Sequence, residues 1–260
     1  MTVPLLSGGL FCQAQTDLHV FAGTWKQDLA KSRYVPSSNE VVSYERQPDG
    51  FWVEADFTGA ATLHRRFRMD GKDYPVDELQ GATIASRNTG PGSWEFVLKS
   101  RDETRTMRAV ISPDGKRMTT TITVSRSNEV ITREYARTTG SDRDLAGTWK
   151  LVSRKSNTPE TIRILVTPDG GLIYDDAGAG FEARLDGKEY PYTGGRVRTN
   201  VTVSLQSINA RALRVTYLHK HQPIFENEWR VSADGGTLSI SGKDPNAKEP
   251  PSLDVYEKQR

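Results

Sequence analysis

The feature that most constrains the fold of this chain is a repeated tetrapeptide, Gly-Thr-Trp-Lys, found at residues 23–26 and again at 147–150. Two further landmarks recur in the same order. Pro-Asp-Gly stands at 48–50 and 168–170, and Asp-Gly-Lys with a following acidic residue and Tyr-Pro stands at 70–75 and 186–191. Because the offsets stay between 116 and 124 residues, the sequence indicates an internal duplication.

Within each repeat, apolar and polar residues alternate with a period of two, and turn sequences follow about every eight to twelve residues. Successive side chains of a strand point to opposite faces, so this pattern is typical of β-sandwiches and β-barrels. Strands with one apolar face need closure or a second sheet to cover their edges. We therefore predict an all-β fold of two tandem up-and-down antiparallel β-barrels, with about eight to ten strands in each.

The duplication also suggests a division of the 260 residues into domains. Units of about 120 residues bury enough surface to fold without disulfides. A short polar stretch, Thr-Thr-Gly-Ser-Asp-Arg-Asp, separates the repeats. We predict a possible signal remnant or disordered tail at 1–17, a first barrel at 18–139, a linker at 140–144 and a second barrel at 145–260.

Composition excludes several classes of protein. Lysine and arginine total 35 against 33 acidic residues, which gives a formal charge of +2. This charge is too small to indicate a nucleic-acid-binding surface. The one cysteine, Cys12, excludes a disulfide framework and a cysteine-ligated structural zinc. We expect no nucleic acid partner, no cofactor and no transmembrane segment, and the sequence does not indicate an oligomeric state.

The start of the chain carries an apolar run with glycines at residues 3–11, followed by Cys-Gln-Ala-Gln. This run is too short to span a bilayer and is similar to the later part of a secretory signal, although a positively charged start is missing. We expect export to the periplasm or the medium. A disordered cytoplasmic tail is the alternative.

The Gly-x-Trp opening, the strand meander and the late basic residue of each repeat resemble the lipocalin (calycin) superfamily. The motif Asp-Gly-Lys-x-Tyr-Pro and the terminal Tyr-Glu-Lys-Gln are similar to sequences found in small exported bacterial proteins of lipocalin-like type. In that family the tryptophan closes one barrel end and a basic side chain lies across it. The resemblance implies structural pairs Trp25 with Arg137 and Trp149 with Lys258, although lysine replaces arginine in the second pair and no C-terminal helix is indicated.

The resemblance implies that one or both barrels bind a small apolar or amphipathic molecule. Burial places the aromatic residues of 225–231 inside, opposite the apolar face of 213–219, if the intervening loop is three residues, Lys220 to Gln222. That pairing sets Tyr217 opposite Phe225. An apolar pocket with a few polar groups is the usual binding site, so the predicted ligand-binding residues are Tyr217, His219, Asn227, Phe225 and Trp229, with His219 nearest the mouth.

His219 and His221 with Glu226 have the residue types of a metal site. The same pairing directs Glu226 outward, so we expect no metal. No nucleophile motif or phosphate loop occurs, so no catalytic residue is assigned. Two alternatives to ligand binding stay open: a structural or interaction module with side-chain-filled barrels, and, by fold analogy alone, an enzyme of isomerase, cyclase or hydratase type.

Overall fold

The computed structural model describes residues 16–58, 61–101, 103–127, 129–140, 143–194 and 200–260. It contains two nearly closed antiparallel β-barrels of ten strands each, which confirms the predicted fold class. A single turn of 3-10 helix, Leu18–Val20, precedes the first strand. In the described part of the chain, no helix is long and apolar enough to cross a membrane. The predicted signal segment lies largely at residues 1–15, outside the described residues.

The first barrel is built from one continuous stretch of chain. Its strands pair antiparallel in sequence order except at one gap, between the third and the fourth strand, and the last strand returns to pair with the first. The strands are β2 (Val41–Arg46), β3 (Trp52–Thr58), β4 (Ala61–Phe67), β5 (Asp70–Pro75), β6 (Thr83–Gly90), β7 (Ser93–Lys99), β8 (Thr104–Ile111), β9 (Arg117–Val124), β10 (Val130–Thr139) and β11 (Gly147–Ser156).

The second barrel combines one strand from the start of the chain with nine from its second half. Its strands are β1 (Gly23–Gln27), β12 (Thr161–Val166), β13 (Gly171–Asp176), β14 (Ala179–Arg184), β15 (Tyr190–Pro191), β16 (Val201–Asn209), β17 (Ala212–His219), β18 (Gln222–Val231), β19 (Thr237–Lys243) and β20 (Ser252–Lys258). An isolated bridge between Gly180 and Thr193 joins the two sides of the remaining gap.

The two repeats exchange their tryptophan strands. Strand β1 belongs to the first repeat, yet it lies between β12 and β20, with Trp25 opposite Ile162 and Lys258. Strand β11 opens the second repeat, yet it lies between β10 and β2 in the first barrel. The first barrel is therefore an insertion, residues 41–156, between β1 and β12 of the second.

The predicted domain boundary at 140–144 is contradicted by this pairing. Residues 140–146 connect β10 to β11 inside the first barrel, and these two strands pair along most of their length. A short connection favours antiparallel pairing of the strands it joins. The chain instead passes between the barrels at residues 28–40 and at 157–160. Sequence similarity between the repeats shows where each repeat begins and ends in the chain. It does not show which barrel the first strand of each repeat joins.

The strand exchange also changes the partners of the tryptophans. Both indoles are fully buried, and their N–H groups donate to Phe21 O at 2.8 Å and Leu145 O at 3.0 Å, respectively. The Arg137 guanidinium lies 3.9 Å from the Trp149 ring centroid, and Lys258 Nζ lies 5.1 Å from that of Trp25. The predicted pairs, Trp25 with Arg137 and Trp149 with Lys258, are thus reversed, because each tryptophan strand lies beside the basic residue of the barrel that it joins.

Candidate functional site

The ends of the barrels away from the tryptophans, which we call the mouths, open onto one cavity. Its volume is about 1010 Å³, and both barrels contribute to its lining. Strand β11 shows the polarity: Trp149 stands near its start, whereas its last three residues, 154–156, line the cavity. Further lining residues are Asp56, Arg105, Arg133, Tyr135 and Leu151 from the first barrel, and Asp176, Tyr192, Tyr217, Phe225, Asn227 and Asp254 from the second.

The crossing segment, residues 28–40, forms a third side of this inter-barrel cavity. It is fixed to β20 of the second barrel, because Arg33 and Leu253 exchange backbone hydrogen bonds of 2.7 and 2.8 Å. At its far end, Glu40 accepts hydrogen bonds from the Tyr34 hydroxyl and, at 2.9 Å, from the Ser37 N–H. These anchors hold Leu29 and Tyr34 on the cavity lining.

The duplication places equivalent residues at both mouths, with one difference of charge. Glu40 and Glu160 stand 120 residues apart, as do Asp56 and Asp176, and all four line the cavity. Two positions before the closing tyrosine of each repeat, however, the first barrel has Arg133 and the second has Asp254. The first mouth therefore carries a cation where the second carries a carboxyl group.

Charged groups are buried just inside the first mouth. Arg65 Nη1 lies 2.8 Å from Glu54 Oε1, and Arg65 Nη2 lies 3.8 Å from Asp56 Oδ2. Glu54 is only 3% exposed and accepts a further hydrogen bond of 3.3 Å from the Tyr44 hydroxyl. Glu54 Oε2 and Arg65 Nε are buried without a hydrogen-bond partner. The barrel interior is thus polar at this level and tightly packed with apolar side chains nearer the tryptophan.

Arg133 lies at the edge of this polar group and lines the cavity. Its side chain hydrogen-bonds that of Tyr135, and its Nε atom is buried without a partner. Burial raises the pKa of Tyr135, and the neighbouring Arg133 works in the opposite direction. The other two arginines on the cavity have different surroundings. Arg105 pairs with Glu103, and Arg154 stacks on the Tyr34 ring at 5.6 Å.

At the second mouth, Tyr217 and Asn227 approach each other from β17 and β18. Burial is the main cause that raises the pKa of Tyr217, and Tyr192 adds to it, while a hydrogen bond from Asn227 opposes the shift. Asn227 Oδ1 is buried without a partner. It faces Gly242 of β19, where an added Cβ would come within 2.2 Å of Asn227 Oδ1 and 2.7 Å of Phe225 Cε1. The missing side chain at Gly242 therefore leaves room for both neighbours.

A carboxyl group completes the second mouth beside the exchanged strand. Gln27 Nε2 donates to Asp254 Oδ1 at 2.8 Å, and Gln27 Oε1 accepts from the Glu160 N–H at 3.3 Å. The Tyr256 hydroxyl donates to Glu160 Oε2 at 3.2 Å. Burial raises the pKa of Asp254, and the charge of Glu160 raises it further.

Three of the five predicted ligand-binding residues, Tyr217, Phe225 and Asn227, lie on the cavity lining. The other two lie elsewhere. Trp229 is 1% exposed and packs in the core against Tyr174, with ring centroids 5.3 Å apart. His219 pairs with Val201 and Gln222 beside the β17–β18 turn and is not among the residues that line the cavity.

The β17–β18 turn differs from the three-residue loop expected from the sequence. It has two residues, Lys220 and His221, whose φ angles are 51° and 64°, as in the tight turns of β-hairpins. A bulge after Tyr217 compensates for the shorter loop. As a result Tyr217 still pairs with Phe225, as predicted.

The histidines of this hairpin do not assemble with Glu226. Glu226 pairs with Thr216 and Lys243, and His221 Nδ1 instead contacts Glu189 Oε1 at 3.0 Å. Over the described ranges, no group of three or more histidine, cysteine or acidic side chains is arranged to hold a metal ion.

The residues of the first barrel that line the cavity were not identified from the sequence. A signal for them exists, because Glu54 and Asp56 share a strand face with Trp52, and Arg133 shares one with Tyr135. A buried aromatic residue marks that face as the inner one, so charges beside it indicate a polar interior.

Comparison with known proteins gives little further information. No protein-family model matches the chain, and no curated protein matches it. Among solved structures, it is similar to a protein of unknown function from the DUF3598 family of Nostoc punctiforme, with 13% sequence identity and a TM-score of 0.27. That likeness covers 93% of this chain and 97% of the other, and it is too weak to bear on function.

Proposed function

We propose that this protein binds a small amphipathic molecule in the inter-barrel cavity. The observation that carries the proposal is the cavity itself, about 1010 Å³ in volume, with polar groups converging from both mouths. Binding sites for small molecules are typically concave, about 300–1,000 Å³ in volume, and combine apolar surface with a few placed polar groups. The volume of this cavity is slightly above the upper limit of that range.

Apolar side chains exposed toward the cavity support an amphipathic ligand. Leu29 and Phe225 are each 37% exposed, and both line the cavity. Covering them with a ligand removes apolar surface from water, which stabilises a complex by roughly 25 cal/mol per Å². The buried Asn227 Oδ1, which has no hydrogen-bond partner, offers an acceptor for a ligand N–H or O–H group.

The tryptophan ends of the barrels have a different character from the mouths. Side chains around Trp149 and Trp25 form two separate apolar cores, and neither tryptophan lines the cavity. Side chains thus fill the tryptophan ends of the barrels, and the space that supports a binding role lies at the mouths. Export of the protein, expected from residues 1–15, remains part of the proposal.

Titration with environment-sensitive apolar and amphipathic fluorescent probes tests the proposal. We expect saturable binding that Leu29→Asp weakens by about tenfold or more, since it puts a charge on an apolar contact. Leu165→Asp is the matched control, because Leu165 is 38% exposed and does not line the cavity. Absence of saturable binding across the panel, or equal effects of the two variants, would show that the cavity is not a binding site.

A further inference from the structure

We infer that the ligand of the inter-barrel cavity carries a carboxylate head group, which binds Arg133 at the first mouth while its apolar part lies toward Leu29 and Phe225. This inference rests on the proposed function and names the class of ligand. It follows from the surroundings of Arg133, from the engagement of the nearby acids and from the different charge of the two mouths.

Arg133 is a largely buried cation that forms no ion pair with any of the described residues. Arg65, in the same barrel, has Glu54 at 2.8 Å, whereas no described carboxylate lies within 4.0 Å of the Arg133 side chain. Its Nε atom is buried and makes no hydrogen bond. A buried charge that lacks a partner is unfavourable, so an anion that reaches it from the cavity is strongly stabilised. The planar guanidinium suits the two oxygens of a carboxylate.

The acids around Arg133 are engaged elsewhere. Asp56 approaches Arg65 at 3.8 Å, and its charge also acts on Arg133 from a greater distance. Glu40 accepts hydrogen bonds from Tyr34 and the Ser37 N–H. Arg105 has its own carboxylate partner and Arg154 lies over the Tyr34 ring, so among the arginines of the lining Arg133 is the one whose buried Nε is left to receive an anion.

The second mouth sets the orientation of the ligand. Two acids line each mouth at equivalent positions, but the second mouth adds Asp254 where the first has Arg133, so a carboxylate placed there would meet a further like charge. Like charges at short range oppose each other, particularly where water is partly excluded. The head group therefore belongs at the first mouth, and the apolar part extends along the crossing segment toward the exposed Leu29 and Phe225.

Calorimetric titration with decanoate and with decan-1-ol, which differ in the head group, tests the inference. We expect the full-length protein to bind decanoate at least about tenfold more tightly, because hydrogen bonds between charged groups are stronger than those between neutral groups. Arg133→Gln should remove this preference, so that the two ligands bind equally. The matched control, Arg117→Gln, makes the same charge change on an exposed residue of the neighbouring strand β9 and should keep the preference.

Asp56→Asn gives a test of opposite sign. It removes a negative charge that acts on Arg133, so the preference for decanoate over decanol should increase. Equal binding of decanoate and decanol to the unmodified protein would overturn the inference and leave the proposed function intact. If no member of the probe panel binds either, both fail. Should Arg133→Gln not fold, the comparison of the two ligands on the unmodified protein and on Asp56→Asn decides the question.

Discussion

The side-chain nitrogen of Lys258, near the end of the chain, lies 5.1 Å from the ring centroid of Trp25, near its beginning. The corresponding contact in the first barrel, Arg137 on Trp149, joins the end of one repeat to the start of the next. Each basic residue thus covers the tryptophan of the other repeat: Arg137 of the first repeat covers Trp149 of the second, and Lys258 of the second covers Trp25 of the first. The strand exchange that produces these contacts determines which pieces of the chain can fold alone.

A fragment of residues 38–158 should fold independently, because it holds all ten strands of the first barrel and its tryptophan. Residues 18–139, which correspond to the first repeat, should not, because they lack β11 and leave the edges of β2 and β10 unpaired. Circular dichroism and thermal melting of both fragments provide the measurement. A cooperative melt for 18–139 together with a featureless melt for 38–158 would contradict the exchanged pairing.

Trp25→Ala should destabilise the second barrel, although residue 25 is encoded in the first repeat. Truncation of a fully buried tryptophan typically costs about 3–5 kcal/mol. Hydrogen exchange followed by mass spectrometry should show loss of protection in β12 and β20 while β2 to β10 stay protected. Trp149→Ala is the matched variant and should give the reverse pattern. Loss of protection in the first barrel upon Trp25→Ala would disprove the assignment.

Gly242→Ala should reshape the second mouth. The new methyl group would collide with Asn227 Oδ1 and Phe225 Cε1, and the partly exposed Phe225 ring is the part that can move. We expect probe affinity to fall by about tenfold, a loss of roughly 1.4 kcal/mol, with a small change in melting temperature. Gly236→Ala is the control, since its nearest neighbour atoms lie 3.6 Å away. Unchanged affinity for Gly242→Ala would place the ligand elsewhere in the cavity.

Asp254→Asn should raise the melting temperature near neutral pH. The pKa of Asp254 is raised above its ordinary 3.8 by burial and by Glu160, while Gln27 and Arg154 oppose the shift. The folded state therefore holds this proton more tightly than the unfolded state, so stability falls as the pH rises through the folded pKa. The asparagine variant lacks that loss and can still accept the hydrogen bond from Gln27.

The gain from Asp254→Asn should shrink as the pH falls through the raised pKa of the folded-state carboxyl group, because protonation then removes the buried charge. Thermal melts between pH 4 and pH 8 measure this dependence. Asp175→Asn, at an exposed position of β13, serves as the control. If the gain in melting temperature stays constant across this pH range, ionisation of Asp254 is not its cause.

The sequence predicted the fold class well, because the alternation of side chains and the repeated turn sequences are local signals. It also predicted that Tyr217 pairs with Phe225, since a one-residue slip would expose the apolar face. The prediction of the turn between them failed, because a bulge can compensate for a shorter loop without any change in the hydrophobic pattern.

The sequence could not predict that β1 and β11 exchange barrels. Both strands carry the same Gly-Thr-Trp-Lys, so their local sequence fits either barrel equally well. The lining of the cavity depends on that exchange, which brings the two mouths and the crossing segment together. The proposed role of Arg133 could not be seen without it, since its distinguishing property is that no carboxylate of the described residues pairs with it in three dimensions.

The placement of β1 beside β20 has a consequence for synthesis on the ribosome. The first barrel can assemble once residue 156 has emerged, but β1, made earlier, has no completed sheet to join until the last strand arrives. At about 5–20 residues per second, the interval between the synthesis of β1 and that of β20 is on the order of ten seconds or more. Until β20 is made, one edge of β1 has no strand to pair with and Trp25 lacks the cover of Lys258, so the nascent chain exposes an unpaired strand edge that a chaperone can hold.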